Sequence, residues 1–304
     1  MLAVQNALGP LFLLILVGAA LGWMRYPGGD FWPRAERLIY YVLFPALLTH
    51  TLAIAPVAEV PIGRLAVVVI GSLLVFATVL WMLRWRLRLS GPAFTSVFQG
   101  ALRFNTYVAI AGATALHGAA GTTASAVAIA LMVPTVNVLC VGCFIAAGTL
   151  GRTGLWRSVL ELLRNPLILA CIAGIVLNLS GIGLPGWSDA LLGLTGRAAL
   201  PLGLLAVGVA LRPAVLMRAG RAFWVASAIK LVALPALAML AALLLGLDPV
   251  TRDVALLFTA MSTSTSAYVL ARELGGDSDL MAGLITGQTL LAMLTLPLWL
   301  GLLS

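Results

Sequence analysis

The chain has 304 residues, of which 62% are hydrophobic and 9% are charged, and its mean hydropathy is +1.10. Soluble globular domains carry about 25% charged residues, so this composition excludes an ordinary soluble enzyme and indicates a chain that lies largely within a membrane. The net charge of +8 is a signal of membrane topology rather than of nucleic-acid binding, because most arginines fall between apolar segments.

In chain order, ten apolar segments are long enough to cross a membrane, since a transmembrane helix needs about 17–25 apolar residues. The segments lie at about 8–24, 38–56, 65–83, 93–116, 122–148, 165–183, 197–212, 222–247, 254–273 and 280–303. The connections between them are short and leave no room for a soluble catalytic domain. The basic region of a secretory signal peptide is missing before Arg25, so we expect the first segment to remain as a span.

With ten spans, the connections alternate between the two sides of the membrane, and the arginines collect on one side. Thirteen fall there: Arg25, Arg34, Arg37, Arg84, Arg86, Arg88, Arg152, Arg157, Arg164, Arg212, Arg218, Arg221 and Arg272. Three fall on the other side: Arg64, Arg197 and Arg252. Because basic loops stay in the cytoplasm, we expect an integral protein of the plasma (inner) membrane with both termini outside the cytoplasm.

The second half of the chain repeats polar and proline positions of the first half. The corresponding pairs are Gly9-Pro10-Leu11 with Asn165-Pro166-Leu167, Phe44-Pro45 with Leu200-Pro201, Asn105-Thr106-Tyr107 with Ser266-Ala267-Tyr268, and Pro134 with Pro297. An odd number of spans in each copy would place the copies in opposite orientations. The predicted fold is therefore an all-α membrane protein of ten transmembrane helices, with one five-helix repeat in residues 1–150 and an inverted one in residues 151–304.

Two predicted spans contain polar runs that would interrupt a helix. Asn105 and Thr106 lie in the middle of the fourth segment, and five hydroxyl residues, Ser262–Ser266, lie in the ninth. Such residues compete for backbone hydrogen bonds inside helices and favour N-caps. Each break would start a half-helix whose N–H groups and positive dipole end face the middle of the membrane, which favours anion binding. The alternative is that these residues are small contacts between packed helices.

Two cations lie deep in predicted spans, and no acidic residue lies at a similar depth. Arg103 is ten residues into the fourth segment, and Lys230, the single lysine, is in the eighth. A charge at the membrane centre is costly, so each cation either snorkels or bonds a carbonyl group, or else it binds an anionic substrate. For Lys230 a third role is open, as a coupling group that loses its proton when substrate leaves.

Several short motifs resemble those of one transporter family. They are Phe44-Pro45, Phe104-Asn-Thr-Tyr107, Arg164-Asn-Pro-Leu-Ile-Leu169, Ser266-Ala-Tyr-Val-Leu-Ala271, Gly275-Gly-Asp277, Gly287-Gln-Thr-Leu-Leu291 and Leu296-Pro-Leu-Trp299. In these motifs the chain resembles the auxin efflux carrier family of permeases, within the bile acid and auxin transporter superfamily. The resemblance implies a scaffold of helices 1, 2, 6 and 7, a moving core of helices 3–5 and 8–10, and a crossover of broken helices 4 and 9. The crossover asparagine of the family corresponds to Asn105.

The chain also departs from these relatives. Many of them place proline at both crossovers, whereas this chain has Ile110-Ala111 after the first and Ser262 within the second. It also lacks the acidic residue that sodium-coupled relatives place near the second crossover. We therefore expect no cofactor or metal, and we favour coupling to protons or to no ion over coupling to sodium.

The predicted function is that of a secondary active permease or efflux carrier for small organic anions, chiefly carboxylates, working by alternating access with an elevator-like motion of the core. A membrane sensor or channel with the same fold is the alternative, and the absence of a nucleophile–base pair or metal motif argues against an enzyme. The predicted substrate-binding residues are Arg103, Asn105, Thr106, Tyr107, Asn137, Lys230, Ser264, Thr265, Ser266 and Gln288. Besides the anion, the expected partners are the lipid bilayer and a second copy bound through the scaffold helices, with no role for nucleic acid.

Overall fold

The computed structural model describes residues 2–55, 60–149, 164–218 and 220–302. These residues are almost entirely helical, and no strand occurs among them, so the predicted all-α class is confirmed. Arg152 and Arg157, two of the arginines assigned to the cytoplasmic side, lie outside the described residues, as does the C-terminal Ser304.

Long apolar helices make up most of the described chain. They are α1 (Leu2–Trp23), α2 (Phe31–Ile54), α3 (Ile62–Leu87), α4 (Gly91–Leu102), α5 (Thr106–Ala146), α6 (Pro166–Leu179), α7 (Ser188–Val209), α8 (Arg221–Leu244), α9 (Pro249–Ala260), α10 (Ser266–Glu273) and α11 (Ser278–Gly301). A short 3₁₀ turn, Pro213–Arg218, connects α7 to α8. Helix α5 is bent at Gly118, where φ is 58° and ψ is −135°. The bend separates the parts of α5 that belong to the fourth and fifth predicted segments.

By length and composition, seven helical runs in the described residues could cross a membrane. The ten predicted segments are more numerous because several are divided or short. The ninth segment is divided between α9 and α10, which have 12 and 8 residues. Helix α6 has 14 residues and is shorter than the other candidates. Helices α4 and α5 follow each other so closely that Gly91–Ala146, with 56 residues, counts as one of the seven.

Prolines account for irregular turns in α2 and α8. A proline inside a helix has no N–H to donate, and its ring clashes with the carbonyl group four residues earlier. Helix α2 forms a π turn over Ile39–Leu43, two residues before Pro45, and α8 forms one over Ile229–Ala233, two residues before Pro235. The α8 turn recurs in the site described below.

Helices α1, α2, α6 and α7 pack pairwise at glycines. Helix α1 lies along α7, and α2 lies against α6. A Cβ atom added at Gly208 would be 1.9 Å from the Ile15 carbonyl oxygen, and one at Gly174 would be 2.8 Å from the Leu52 Cβ. Small residues allow such close backbone approach, which is how helices associate in a membrane.

The other long helices pack around two interruptions of the helical backbone. Helix α5 contacts α3, α4 and α9, and α8 contacts α4 and α9. The chain leaves the helical conformation at residues 103–105, between α4 and α5, and at residues 261–265, between α9 and α10. Both predicted breaks are therefore present, and the helices around them position the candidate site.

Candidate functional site

The two interruptions are in direct contact. The backbone N–H of Asn105 donates a hydrogen bond to the Ser262 carbonyl oxygen at 2.8 Å. The Gly100 carbonyl oxygen in the last turn of α4 accepts hydrogen bonds from the Thr263 hydroxyl at 2.7 Å and from the Gln288 Nε2 at 2.9 Å. The two interruptions therefore meet through direct hydrogen bonds, and no open space separates them at these points.

Gln288, on α11, ties the two interruptions together. Besides its donation to Gly100, its Oε1 accepts a hydrogen bond from the Thr263 N–H at 3.0 Å, and the side chain is fully buried. Gln288 was predicted to bind substrate, but both ends of its amide are already hydrogen-bonded to backbone groups of the two interruptions. The point where the two interruptions meet is called the crossing. In the structure Gln288 holds the crossing together and does not line an open space.

Replacing Gln288 by leucine is expected to lower the apparent unfolding temperature in detergent by several degrees. The Thr263 N–H would be left unpaired in a buried place, at a cost of about 1–3 kcal/mol, and about 1 kcal/mol shifts the unfolding temperature by roughly 2–4 °C in a chain of this size class. Gln99→Leu is the matched control, because Gln99 is also fully buried but neither of its amide atoms has a partner. Equal unfolding temperatures of the two variants would contradict the bridging role.

Asn105 begins α5 as its N-cap, as predicted. Its Oδ1 accepts hydrogen bonds from the N–H groups of Tyr107 at 3.1 Å and Val108 at 3.3 Å. Its Nδ2 has no hydrogen-bond partner among the residues that the structure describes, although Asn105 is only 2% exposed. A buried donor without an acceptor is unfavourable, so the amide of Asn105 is left free to bind a ligand.

Arg103 is held between three helices rather than snorkelling to the membrane surface. One terminal guanidinium nitrogen donates to the Asn137 Oδ1 on α5 at 2.6 Å, and the other donates to the Ser266 hydroxyl on α10 at 3.4 Å. The side chain is 8% exposed, and its Nε has no hydrogen-bond partner in the described ranges. Among the described residues, no carboxylate lies within 4.0 Å of the guanidinium. Arg103 therefore keeps an uncompensated positive charge beside both interruptions.

Gln99 is a candidate that the sequence reasoning missed. It lies on α4, one helical turn before Arg103, and is fully buried, and within the described part of the chain neither its Oε1 nor its Nε2 has a hydrogen-bond partner. The signal was available, because an amide four residues before a deep arginine falls on the same face of a helix. The Arg103 guanidinium, the Asn105 amide and the Gln99 amide thus supply unsatisfied donors along one short stretch of chain.

The hydroxyl residues Ser264, Thr265 and Ser266 form the start of α10. The Ser264 hydroxyl lies 2.9 Å from the Ser266 hydroxyl and accepts from the Ser266 N–H at 3.3 Å. Thr265 is half-buried at the edge of a cleft of about 320 Å³, lined by Trp32, Pro33, Glu36, Val209, Ala210, Arg212, Thr265, Tyr268, Val269, Ala282 and Ile285. The cleft separates α2 and α7 from α10 and α11, and the Arg212 guanidinium stands 5.4 Å from the centre of the Tyr268 ring.

Tyr107, the counterpart of Tyr268 in the first half, has closed surroundings. Its ring stacks on Phe44 of α2 with 4.4 Å between ring centres. A Cβ atom added at Gly203 of α7 would be 3.2 Å from the Tyr107 ring. Thr106, which begins α5, is half-buried beside it. The two halves of the chain thus differ: one tyrosine is packed against α2 and α7, and the other lines a cleft.

Lys230 does not reach the cleft. Its side chain is fully buried, its Nζ donates to the Phe258 carbonyl oxygen at 3.5 Å, and it lies 5.9 Å from the centre of the Phe104 ring. Of the roles left open by the sequence, the structure shows that of bonding a neighbouring carbonyl group. Lys230 neither faces the cleft nor snorkels in this conformation, because the π turn places the ammonium group inside the protein. The structure brings together Arg103, Asn105, Asn137, Ser264 and Ser266. Lys230 is not part of this group and lies instead at the end of α9.

Comparison with known proteins gives the family. Residues 152–300, close to half of the chain, match the family described as Membrane transport protein. These residues belong to this family. It includes the auxin efflux carriers, so the resemblance seen in the sequence is confirmed. No curated protein matches the chain.

Membership of the membrane transport protein family and the long apolar helices together show an integral membrane transport protein. Proteins of this family are transporters, not enzymes. The matched residues include α6–α11, and with them Lys230, the hydroxyl run and Gln288. Arg103 and Asn105 precede the matched part, so their roles rest on the geometry of the crossing.

Proposed function

We propose that this membrane transport protein is a secondary active carrier of small organic anions, chiefly carboxylates, which bind beside Arg103 and Asn105. The observation that carries the proposal is the set of buried donors without partners: the Nε of Arg103, the Nδ2 of Asn105 and the amide of Gln99. Buried polar groups are nearly always hydrogen-bonded in folded proteins. A ligand with acceptor oxygens and a negative charge satisfies these donors and the guanidinium charge together.

The backbone around the crossing adds to this preference. The amino-terminal ends of α5 and α10 begin at the two interruptions, and helix N-termini carry partial positive charge that favours anions. The hydroxyl groups of Ser264 and Ser266 complete the polar lining next to Arg103. A carboxylate offers two acceptor oxygens in one plane, which suits the forked donors of a guanidinium.

The direct test is flux through proteoliposomes that contain the purified protein. A panel of mono- and dicarboxylates is screened by thermal shift, and the anions that stabilise the protein are then assayed for uptake. We expect saturable uptake that persists when sodium is replaced by potassium. Binding without uptake would indicate a sensor, and uptake that does not saturate would indicate a channel, and either result would refute the carrier proposal.

We also propose that the chain crosses the membrane ten times as two inverted five-helix repeats, possessing a scaffold of α1, α2, α6 and α7 through which two copies associate. The close packing of these four helices and the separate grouping around the crossing support this division. The ten predicted spans then correspond to α1, α2, α3, α4 with the first part of α5, the second part of α5, α6, α7, α8, α9 with α10, and α11.

Reporter fusions are expected to place the C-terminus outside the cytoplasm, because the arginine-rich connections mark the cytoplasmic side. Fusions after Ser304 should report an external location, and fusions after Ser90 or Arg157 a cytoplasmic one. An alkaline phosphatase and green fluorescent protein pair, each active on one side, measures both outcomes. A cytoplasmic C-terminus would rule out ten spans and the inverted repeat with them.

Alternating access is supported by the different surroundings of the two tyrosines. The cleft beside Tyr268 is bordered by Trp32 and Arg212, which lie in connections assigned to the cytoplasmic side. Tyr107 is enclosed by Phe44 and Gly203. The structure thus fits a carrier whose site is open to the cytoplasm, and movement of the core past α2 and α7 would exchange the two environments.

Cysteines at Val108 and Val269 give a matched test of access, because these valines follow the two tyrosines. Val269 is 53% exposed and lines the cleft, whereas Val108 is 2% exposed. We expect a membrane-impermeant thiol reagent to label Val269→Cys from the cytoplasmic side and to leave Val108→Cys unlabelled from the outside. The unsubstituted protein is the control, since Cys140, Cys143 and Cys171 are buried. Equal labelling of both variants would contradict a one-sided opening.

A further inference from the structure

Helix α9 ends at the crossing, and two of its last carbonyl groups accept hydrogen bonds from groups outside the helix. The last four carbonyl groups of a helix lack intrahelical partners, and they form the negative end of its dipole. In α9 the Leu257 carbonyl oxygen accepts from the Met261 N–H at 3.0 Å, and the Phe258 carbonyl oxygen accepts from the Lys230 Nζ at 3.5 Å. A lysine from a neighbouring helix thus lies at the negative end of this half-helix.

The corresponding end of α4 is satisfied by neutral groups. There the Gly100 carbonyl oxygen accepts from the Thr263 hydroxyl and the Gln288 amide. The two half-helices of the crossing therefore differ in one respect that matters for charge. A neutral amide and a hydroxyl reach the end of α4, and an ammonium group reaches the end of α9.

The backbone of α8 fixes the position of this ammonium group. Lys230 lies within the π turn before Pro235. Because Pro235 has no N–H to donate to the Leu231 carbonyl oxygen, this oxygen accepts a hydrogen bond from the Trp299 indole of α11 at 2.8 Å. The turn is thus anchored to α11, and Lys230 is directed toward α9 and the Phe104 ring.

No described carboxylate neutralises Lys230 within 4.0 Å. The charged residues on the helices packed against the turn are Arg103 at the end of α4, Arg221 at the start of α8, Arg252 and Asp253 near the start of α9, and Asp277 and Asp279 at the start of α11. Asp253 is engaged by His117 at 3.0 Å and by Arg252 at 3.2 Å. The helix end and the Phe104 ring are therefore the groups that stabilise the ammonium charge.

We propose that the α9 end at the crossing is a binding site for a small monovalent cation, and that the Lys230 ammonium group permanently fills it. Phe104 lies between Arg103 and Asn105 in the first interruption, so the tethered cation also holds the segment that carries the anion-binding donors. The effect of Lys230 on substrate binding rests on the proposed function. The existence of the cation site does not rest on it, because the site is tested in the absence of substrate.

The test compares unfolding temperatures of the purified full-length protein in detergent. Lys230→Met replaces the side chain by an apolar one of similar length. If Lys230 contributes only packing and its buried charge destabilises the protein, methionine should keep or raise the unfolding temperature, because apolar replacement of buried charges is often stabilising. If the charge compensates the end of α9, we expect Lys230→Met to lower the unfolding temperature by about 3 °C or more.

Lys230→Ala opens the site, and small cations should then fill it. We expect propylammonium chloride to raise the unfolding temperature of Lys230→Ala by at least half of what the substitution removed, and choline chloride at the same ionic strength to have no such effect because choline is too bulky. On the unsubstituted protein and on Lys230→Met, the two salts should change the unfolding temperature by the same amount. If Lys230→Ala does not survive purification, Lys230→Met decides alone. A Lys230→Met protein as stable as the parent, or a Lys230→Ala protein with equal responses to both salts, would overturn the proposal.

Discussion

Replacing Arg103 by methionine is expected to reduce carboxylate binding by at least about thirtyfold. The guanidinium group lies beside both interruptions, has no carboxylate partner among the described residues, and keeps its Nε free. Removing one member of a buried, hydrogen-bonded charge pair costs about 2–5 kcal/mol, which corresponds to roughly thirtyfold to several thousandfold in affinity. Binding is measured by isothermal titration with the anion that gives the largest thermal shift on the parent protein.

Arg64→Met is the control for this variant, because it removes the same charge outside the crossing. The Arg64 guanidinium bonds the Gly246 carbonyl oxygen and contacts neither interruption. Arg103→Lys keeps the charge but loses the forked geometry, so its affinity should fall between those of the parent and Arg103→Met. Unchanged affinity in Arg103→Met would show that the anion binds elsewhere, and the site proposed at the crossing would have to be abandoned.

Replacing Asn105 by serine is expected to lower anion affinity by tenfold or more while the fold is retained. A serine keeps an oxygen that caps α5, since serine and asparagine are comparable N-caps. It removes the amide Nδ2, the buried donor without a partner, and losing such a hydrogen bond to a ligand costs about 1–3 kcal/mol. Asn105→Asp should reduce affinity further, because it also keeps the cap but places a negative charge beside the bound anion.

Asn165 provides the matched control, since it caps α6 in the same way. Its Oδ1 accepts from the N–H groups of Leu167 at 3.0 Å and Ile168 at 3.4 Å. Asn165→Ser should leave anion affinity unchanged, and the unfolding temperatures of the two serine variants should be similar. Equal affinities of Asn105→Ser and the parent protein would leave Asn105 as a helix cap without a role in binding.

The sequence predicts the broken helices well because the signal is local. Asn105 and the hydroxyl run are polar residues in apolar surroundings, and their preference for N-caps acts within a few residues. The structure places the breaks at residues 103–105 and 261–265. Arg103 was also identified, because a deep cation is conspicuous in an apolar segment whatever surrounds it.

The position of Lys230 could not be predicted in this way. Its depth in the eighth segment is visible in the sequence, but its direction depends on the π turn before Pro235 and on the indole of Trp299, which bonds Leu231 from 68 residues further along the chain. Gln288 poses the same difficulty, because its partners Gly100 and Thr263 come from two other helices. Which polar residue faces a ligand and which holds the backbone is decided by such contacts.

The cleft is still further from what a sequence pattern can show. Trp32, Arg212 and Tyr268 come together from distant parts of the chain, and none of them stands out from its neighbours by type. The unequal packing of Tyr107 and Tyr268 is equally invisible, because the repeated positions predict similar surroundings for both. A repeat predicts a shared architecture, and the difference between its copies is a property of one conformation.

The two cations deep in the core connect the carrier to the electrical state of its membrane. A charge that crosses the whole membrane exchanges about 2.3 kcal/mol with each 100 mV of potential. Arg103 and Lys230 have no carboxylate partners among the described residues, so in the proposed mechanism these two residues would add positive charge to a core that moves without substrate. An inside-negative potential would then draw the empty core toward the cytoplasm. A bound anion would cancel part of this charge and reduce the electrical work of moving the loaded core, so under this proposal the membrane voltage would set the resting side of the carrier.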